Sequence, residues 1–496
     1  MSEYYTAADQ LALSPALVLA FFGCAILLFE FLLGKSRAAS ARKWTLALAI
    51  AGLAFTARAL WGQQQALDNG ADRLTAFSGA ISVDGFALFF NWIFLAASLV
   101  TVLISYRYLE IEEEDRAEYY GLILLAQCGM GFLATGTDLV TIFIGLELMS
   151  LAFYILVGFL RSQQRSNEAS MKYFLLGVFS SAILAYGFSL FFGIAASTRL
   201  KDIGQAVQAR SLHDPLLLLA IAVTSAGLFF KISAVPFHMW APDAYEGAPT
   251  PVTAYLSVGS KAASFALLLR FFLEPLAATR VAWQPLLVGV AVLSMTAGNL
   301  AAMTQTNLKR LIAYSSISHA GYILLGLVAG NDTGLQGIAV YILVYTFTNL
   351  GALLVIAALR RKESAGTEED LTDISGLAQK NPAYAALMVV FLLSLAGLPP
   401  TAGFIGKYYI FLALIQTGHL ILAVIATLYV AVALYYYFRI AQAMYAGEPA
   451  PEVPRGQFLA QSWGVRIALG ITGALTLFIG IYPEPFLQFA GISLLR

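Results

Sequence analysis

Five ionisable residues stand inside apolar stretches of this 496-residue chain, at positions where a proton could be held or passed on. Glu147 lies within DLVTIFIGLELMSLAFYILVGF, Lys231 within GLFFKISAVPFHMWAPDAYEGAPTPVTAYLSVGSK, which closes on Lys261, and His319 within NLKRLIAYSSISHAGY. Lys407 follows the break in LSLAGLPPTAGFIGKYYIFLALI. A lysine near a bilayer centre costs roughly 2.5 to 3.5 kcal/mol even on a lenient insertion scale, so Lys231, Lys261 and Lys407 are expected to be proton sites. A buried Glu147–Lys231 pair would make each group's proton affinity depend on the state of the other. Desolvating a lysine changes its proton affinity by roughly 4 kcal/mol, and moving a proton against about 200 mV takes about 4.6 kcal/mol, so one ion pair made and broken matches one proton driven.

A plainer reading stays beside each of these. Lys231 could snorkel past an ordinary proline kink, and Glu147–Lys231 could be a static pair that only sets helix packing. His319, in NLKRLIAYSSISHAGY, fits a proton relay or a satisfied interhelical hydrogen bond equally well. His238, beside Trp240, fits a membrane-interface residue better than a relay. Glu168 and Lys172, four residues apart, form an ordinary helical pair or part of a coupling to a neighbour. Asp138, Lys309, Arg310 and Arg439 are expected near interfaces, with Arg439 facing protein. The Tyr435–Tyr437 run suits an aromatic belt or packing.

The elements that position these residues follow from hydropathy. Hydrophobic residues make up 59% of the chain and charged ones 12%, about half the charge of a soluble domain. About fourteen membrane spans of roughly 20 residues fit. The fifth is expected over 138–159, the seventh over 216–240, the eighth over 252–274, the tenth over 311–329 and the twelfth over 383–416. Pro236 removes a helical donor from the carbonyl of Ile232, and Pro399–Pro400 interrupts the twelfth span, so each half of the chain has a broken helix carrying a lysine. Lys231 and Lys407 are 176 residues apart, and Glu147 and His319 are 172 apart. These near-equal spacings predict two inverted five-helix repeats at 116–275 and 276–447, after a three-helix segment at 1–115 and before a last helix at 448–496.

Basic residues concentrate in the loops after odd-numbered spans, among them Lys35, Arg37, Arg42, Lys43, Arg360, Arg361 and Lys362. By the positive-inside rule both termini then lie outside. The acidic run Glu112–Asp115 suits a solvated surface or a docking contact. The first residues lack the basic region of a signal peptide, so the first apolar run is expected to stay as a span.

Net charge is zero and no basic tract suits a nucleic acid. Cys24 and Cys128 lie far apart, the four histidines lack metal-ligand spacing, and no GxGxxG or P-loop pattern occurs. No cofactor is therefore expected in this chain, and any redox chemistry belongs to another subunit.

The segments GLELMSLAFYILVGF, NEASMKYFLLG, FKISAVPFHMWAPDAYEGAPTPVTAYLSVGSKAA, NLKRLIAYSSISHAGY and GLPPTAGFIGKYYIF, in that order, make the chain resemble the antiporter-like membrane subunits of respiratory complex I. Within them it is most similar to the branch called subunit N. The M branch carries a glutamate where Lys407 stands, and the L branch adds a lateral helix for which 448–496 leaves no room. The resemblance implies an all-α, polytopic protein of the bacterial inner membrane that translocates protons while partners transfer electrons from NADH to quinone. It implies Glu147 as charge modulator, Lys231 as proton carrier, Lys261 as the link between half-channels, Lys407 as the outer residue, and Glu168 and Lys172 near small neighbouring subunits. NADH, flavin, iron–sulfur clusters and quinone are expected in partner subunits, with lipid and other complex I membrane subunits as contacts. Related chains serve cation/proton antiporters of the Mrp type and membrane-bound hydrogenases. A free-standing antiporter would move cations without partners, and a scaffold would lose assembly, not coupling, on charge-neutral substitution.

Overall fold

The computed structural model describes residues 6–33, 38–70, 72–114, 116–359, 369–447 and 462–492. Lys35, Arg37, Asp115 and Arg360–Lys362, used in the sequence reading, lie outside them, as do 448–461 of the expected last segment.

The helices in chain order are α1 (Ala7–Leu33), α2 (Ala38–Asp68), α3 (Gly85–Glu112), α4 (Glu118–Thr135), α5 (Leu139–Val157), α6 (Gln164–Ala195) and α7 (Leu200–Gln208). Then come α8 (Pro215–Lys231), α9 (Trp240–Gly247), α10 (Thr250–Tyr255), α11 (Lys261–Leu273), α12 (Arg280–Thr304), α13 (Leu308–Ala329) and α14 (Asp332–Ala358). The last are α15 (Leu377–Lys380), α16 (Pro382–Ala396), α17 (Ala402–Gln416), α18 (Leu420–Ala446), α19 (Trp463–Ile481) and α20 (Glu484–Ile492). Among the described residues eleven helical stretches are long and apolar enough to cross a membrane, and α8, α16 and α17 are shorter apolar helices.

Helix starts follow capping chemistry. Asp84, Asp138, Asp214, Asn307 and Asn331 accept from the first-turn amides of α3, α5, α8, α13 and α14 at 2.8–3.0 Å. α16 stops where Gly397 turns left-handed at φ +86°, and its amide returns to Leu393 O and Ser394 O. Such local signals set the spans close to their expected limits.

The expectation of an all-helical chain misses one feature. β1 (Leu74–Ala76) and β2 (Ile81–Val83) form an antiparallel hairpin between α2 and α3, in register Leu74 to Val83. The third span begins after it, at Gly85. Three-residue strands carry too little alternation to register in a hydropathy profile.

Burial divides the bundle into centre and rim. The most apolar window of α14 is wholly buried, and those of α13 and 250–273 are 94% buried, against 28% for α1 and α18. A helix that is apolar all round belongs in the interior. Small residues let the central helices approach: a Cβ on Gly298 would sit 2.6 Å from Ser318 N, and one on Gly321 2.7 Å from Ala291 O. The polar side chains of α13 thereby reach its neighbours.

Candidate functional site

Lys231 is the last residue of α8, and the chain breaks immediately after it. The amides of Ile232, Ser233 and Ala234 fold back onto Leu228 O, Phe230 O and Phe229 O, Ser233 takes φ +59°, and helix resumes only at Trp240. The seventh span, expected over 216–240 and broken at Pro236, is thus interrupted earlier than expected. Proline disfavours helix in the residue before it, so the break falls N-terminal to Pro236 and the span ends at Lys231 instead of 240. Trp240 Nε1 donates to Phe230 O at 2.9 Å and clasps the two sides.

The Lys231 ammonium, 5% exposed, donates to Ser150 Oγ at 2.9 Å and Ser181 Oγ at 3.4 Å. Glu147 acts on it through space without a hydrogen bond between them, and Glu147 Oε1 is buried without a hydrogen-bond partner. The direct Glu147–Lys231 contact anticipated from the sequence is thus absent. Ser150, one turn further along the same face of α5, takes the hydrogen bond to the ammonium in its place.

Lys261 opens α11 directly after a π-helical turn, Leu256–Ser260, which re-aims the side chains that follow. Its ammonium donates to Ser316 O at 2.9 Å and to Ser316 Oγ on α13. Tyr345 OH on α14 donates to the same Oγ at 2.7 Å. Asn349 Nδ2 ties α14 to the π turn through Ser257 Oγ at 2.7 Å.

His319, one turn beyond Ser316, carries the line onward. Its Nδ1 meets Tyr341 OH at 2.6 Å and its Nε2 meets Tyr437 OH at 3.1 Å, with Tyr437 also bonded to Ser315 Oγ. The Tyr345 ring stands 5.1 Å from the imidazole. His319 is therefore fully hydrogen-bonded between helices, and its partners are themselves proton-bearing groups. A small cavity lined by His319, Tyr341, Tyr345, Thr348, Ser394 and Lys407 connects it to the second break.

At that break α16 and α17 meet end to end. A Cβ on Gly403 would lie 1.7 Å from Ser394 O, so only glycine permits the approach. Lys407 reaches back from α17, and its ammonium donates to Leu395 O at 3.0 Å and Ala396 O at 2.9 Å, the last carbonyls of α16. These are among the carbonyls that a helix end leaves without amide donors.

Other expected residues are elsewhere. Glu168 and Lys172 are on the surface, 2.8 Å apart, in a network larger than a helical pair: Lys172 also bonds Asp243 at 3.0 Å, and Arg310 bonds Asp243 at 2.7 Å and Glu246 at 2.9 Å. Burial alone would raise the Asp243 carboxyl, but hydrogen bonds from Arg310 and Lys172 outweigh it and hold the group below its ordinary value of 3.8. His238 lies in the non-helical link, joined to none of the lysines, with Nδ1 unpartnered. Arg439 faces protein as expected and donates to Met303 O and Gln305 O at the end of α12.

Burial refines two expectations. Lys309, expected at an interface, is 2% exposed and bonded to Glu369 at 2.7 Å. Of the tyrosine run, only Tyr435 is exposed, while Tyr436 and Tyr437 are interior and Tyr437 belongs to the His319 line. Sequence reasoning also missed Arg270, fully buried between Asp84 at 2.9 Å, Glu274 at 2.7 Å and Ala134 O at 3.1 Å. Its signal was present, an arginine inside an apolar run. The serines at 150, 181 and 316 had no such signal, since hydroxyls are common in apolar helices. Among the described residues no group of three or more His, Cys, Asp or Glu is placed to hold a metal ion.

Comparison with known proteins places this arrangement. The family described as NADH:quinone oxidoreductase/Mrp antiporter, TM, matches residues 136–432, which contain Glu147, Lys231, Lys261, His319 and Lys407. NADH-quinone oxidoreductase subunit N 2 of Solibacter usitatus (strain Ellin6076) is 61% identical over 496 residues, covering 100% of this chain and 99% of the relative. A chain of respiratory complex I from Thermus thermophilus with bound aureothin superposes with a TM-score of 0.78 at 33% identity, over 96% of this chain and 99% of that one. A chain of the Mrp complex from Dietzia sp. DQ12-45-1b shares the fold, with a TM-score of 0.82 at 22% identity over 99% and 97%. Together with the buried lysines and the interrupted helices, these matches show that the chain belongs to the NADH:quinone oxidoreductase/Mrp antiporter family of membrane subunits.

Proposed function

We propose that this chain is the subunit-N-type membrane subunit of a bacterial NADH:quinone oxidoreductase and moves protons while partner subunits oxidise NADH and reduce quinone. The observation that carries the reading is the buried line in which Lys261 and Tyr345 bond Ser316, Tyr345 packs against His319, and a small cavity joins His319 to Lys407. Each member either titrates or carries a hydroxyl that can both donate and accept. Lys231 begins a second site in the other half, where Ser150 and Ser181 serve the same purpose. Glu147 acts on Lys231 through space, without a salt bridge.

In this reading the chain has fourteen spans, an N-terminal segment at 1–115, inverted repeats at 116–275 and 276–447, and a final segment at 448–496. It lies in the inner membrane with both termini outside. Flavin, iron–sulfur clusters and quinone are held by partners, and Glu168, Lys172 and their network face the small neighbouring membrane subunits. The likeness to subunit N over the full length favours this assembly over an Mrp-type antiporter, for which the fold alone is shared.

The test is protons pumped per NADH oxidised in vesicles carrying Lys231→Met, with assembly followed on native gels. A lowered ratio in intact complex is expected. An unchanged ratio returns Lys231 to a packing role.

A further inference from the structure

One buried ionisable pair is unused by that reading. Lys309, on the first turn of α13, and Glu369, on the segment leading to α15, are 2% and 6% exposed. Lys309 Nζ donates to Glu369 Oε1 at 2.7 Å and to Ala248 O, between α9 and α10, at 2.7 Å. Thr250 Oγ1, on the first turn of α10, approaches the same carboxylate oxygen at 3.5 Å. The segment bearing Glu369 is laid against α13 by Leu308 N–H to Glu369 O at 2.7 Å and Leu371 N–H to Thr306 O at 3.0 Å. Desolvating two charges costs several kcal/mol per ion, and such pairs are often no more stabilising than apolar residues of the same volume. Stability alone does not explain this one.

Its position does. Lys309 precedes Ser316 by seven residues, two turns of α13 and about 10 Å along one face. Ser316 is the residue that holds Lys261. Tyr245 lies on α9, which packs against α13, and is anchored where Thr253 Oγ1 donates to its carbonyl at 2.8 Å. The Tyr245 hydroxyl is buried, faces Ser316, and has no hydrogen-bond partner. A buried hydroxyl left without a partner marks a place for an ordered water.

We propose that Lys309 and Glu369 form a proton-exchange site linking Lys261, through Ser316 and Tyr245, to the membrane face at which α10 and α13 begin. The step is internal and balanced: the Lys309 ammonium gives a proton to the Glu369 carboxylate, leaving an amine and a carboxylic acid, and the amine takes the next proton. The pair straddles the two halves of the chain, since its ligands Ala248 and Thr250 come from one and its own residues from the other. This inference rests on the proton-translocating reading above.

The experiment measures protons per NADH in vesicles bearing the assembled complex, with Lys407→Met as reference. Lys309→Arg keeps the charge and the bond to Glu369 but does not release a proton. Glu369→Gln keeps an acceptor for Lys309 and the backbone bonds to α13 but does not take up a proton. Both are expected to lower the ratio to that of Lys407→Met with assembly unchanged, and Glu369→Asp to recover more than half of the loss. Tyr245→Phe, which deletes only the unpartnered hydroxyl, is expected to lower the ratio as well. Lys309→Arg and Tyr245→Phe at the parental ratio, with Lys407→Met still defective, would make the pair a static clamp and overturn the proposal. Parental pumping in Lys407→Met too would overturn the proton reading beneath it. If the charge variants fail to assemble, Tyr245→Phe decides, a lowered ratio supporting the site and a parental one rejecting it.

Discussion

The two interrupted spans hold their lysines in opposite ways. At the first, Lys231 ends the helix before the break and meets the hydroxyls of Ser150 and Ser181 on two neighbouring helices. At the second, Lys407 stands in the helix after the break and meets two backbone carbonyls of the helix before it. A hydroxyl can accept from an ammonium and then rotate to donate to an amine, whereas a carbonyl only accepts. The first site is therefore built to bond its lysine in both protonation states without moving backbone. The second can still accept both N–H groups of a neutral amine, but it offers no donor to the lone pair that the departing proton leaves. Similar sequence signs, a lysine beside a proline, thus produced one site whose partners can both accept and donate and one whose partners only accept.

The comparison breaks first at glycine. Gly403→Ala would set a Cβ 1.7 Å from Ser394 O, whereas Gly227→Ala, beside the first break, meets a Leu184 side-chain carbon at 2.8 Å. Overpacking costs about 1 to 3 kcal/mol and occasionally more, and the contact with rigid backbone takes the upper end. Thermal unfolding of the purified chain in detergent should show the larger loss for Gly403→Ala, and equal losses would deny the second break its rigid backbone contact.

The hydroxyl cradle is tested next. Ser150→Ala removes a 2.9 Å bond to an ammonium, worth about 1.5 to 3 kcal/mol, and Ser181→Ala removes a 3.4 Å one, worth less. Pumping per NADH should fall more for Ser150→Ala, and most for the double variant. No side-chain deletion can do the same to Lys407, whose partners are main-chain atoms.

Tyr437→Phe sharpens the contrast on a smaller scale. It removes the bonds to His319 Nε2 and Ser315 Oγ, each about 1 kcal/mol, and leaves His319 its bond to Tyr341. A modest fall in pumping with a small drop in unfolding temperature is expected; a drop in temperature alone would mark Tyr437 as packing.

The smallest effect belongs to the surface network. The Asp243 carboxyl is held below 3.8, so its contribution is complete at neutral pH and disappears as pH falls through the folded-state value. The difference in unfolding temperature between the parent and Asp243→Asn should be steady near neutrality and shrink below pH 3.8. Partial exposure keeps it small, and high salt should reduce it further.

Much of the site was readable before the fold. Lys231, Lys261, His319 and Lys407 announced themselves because each interrupts an apolar run, and both breaks were marked by proline. Glu147 was readable as a buried carboxylate but not as one that fails to reach Lys231, because a one-turn difference along α5 decides which side chain meets the ammonium. Lys309 read as an interface residue because it stands at a helix start. Its burial depends on Glu369, sixty residues later in the chain.

Sequence alone determined the membrane class, the capped helix ends, the two breaks and the identity of the buried basic residues. Each follows from what a bilayer or a helix demands of a residue and its near neighbours. The tertiary structure alone decided which hydroxyls and carbonyls the lysines meet, that His319 is shared by Tyr341 and Tyr437, and that Arg270, Lys309 and Glu369 are buried. Those contacts depend on how helices far apart in the chain are rotated and staggered against one another, and a pattern read along one helix carries no record of that register.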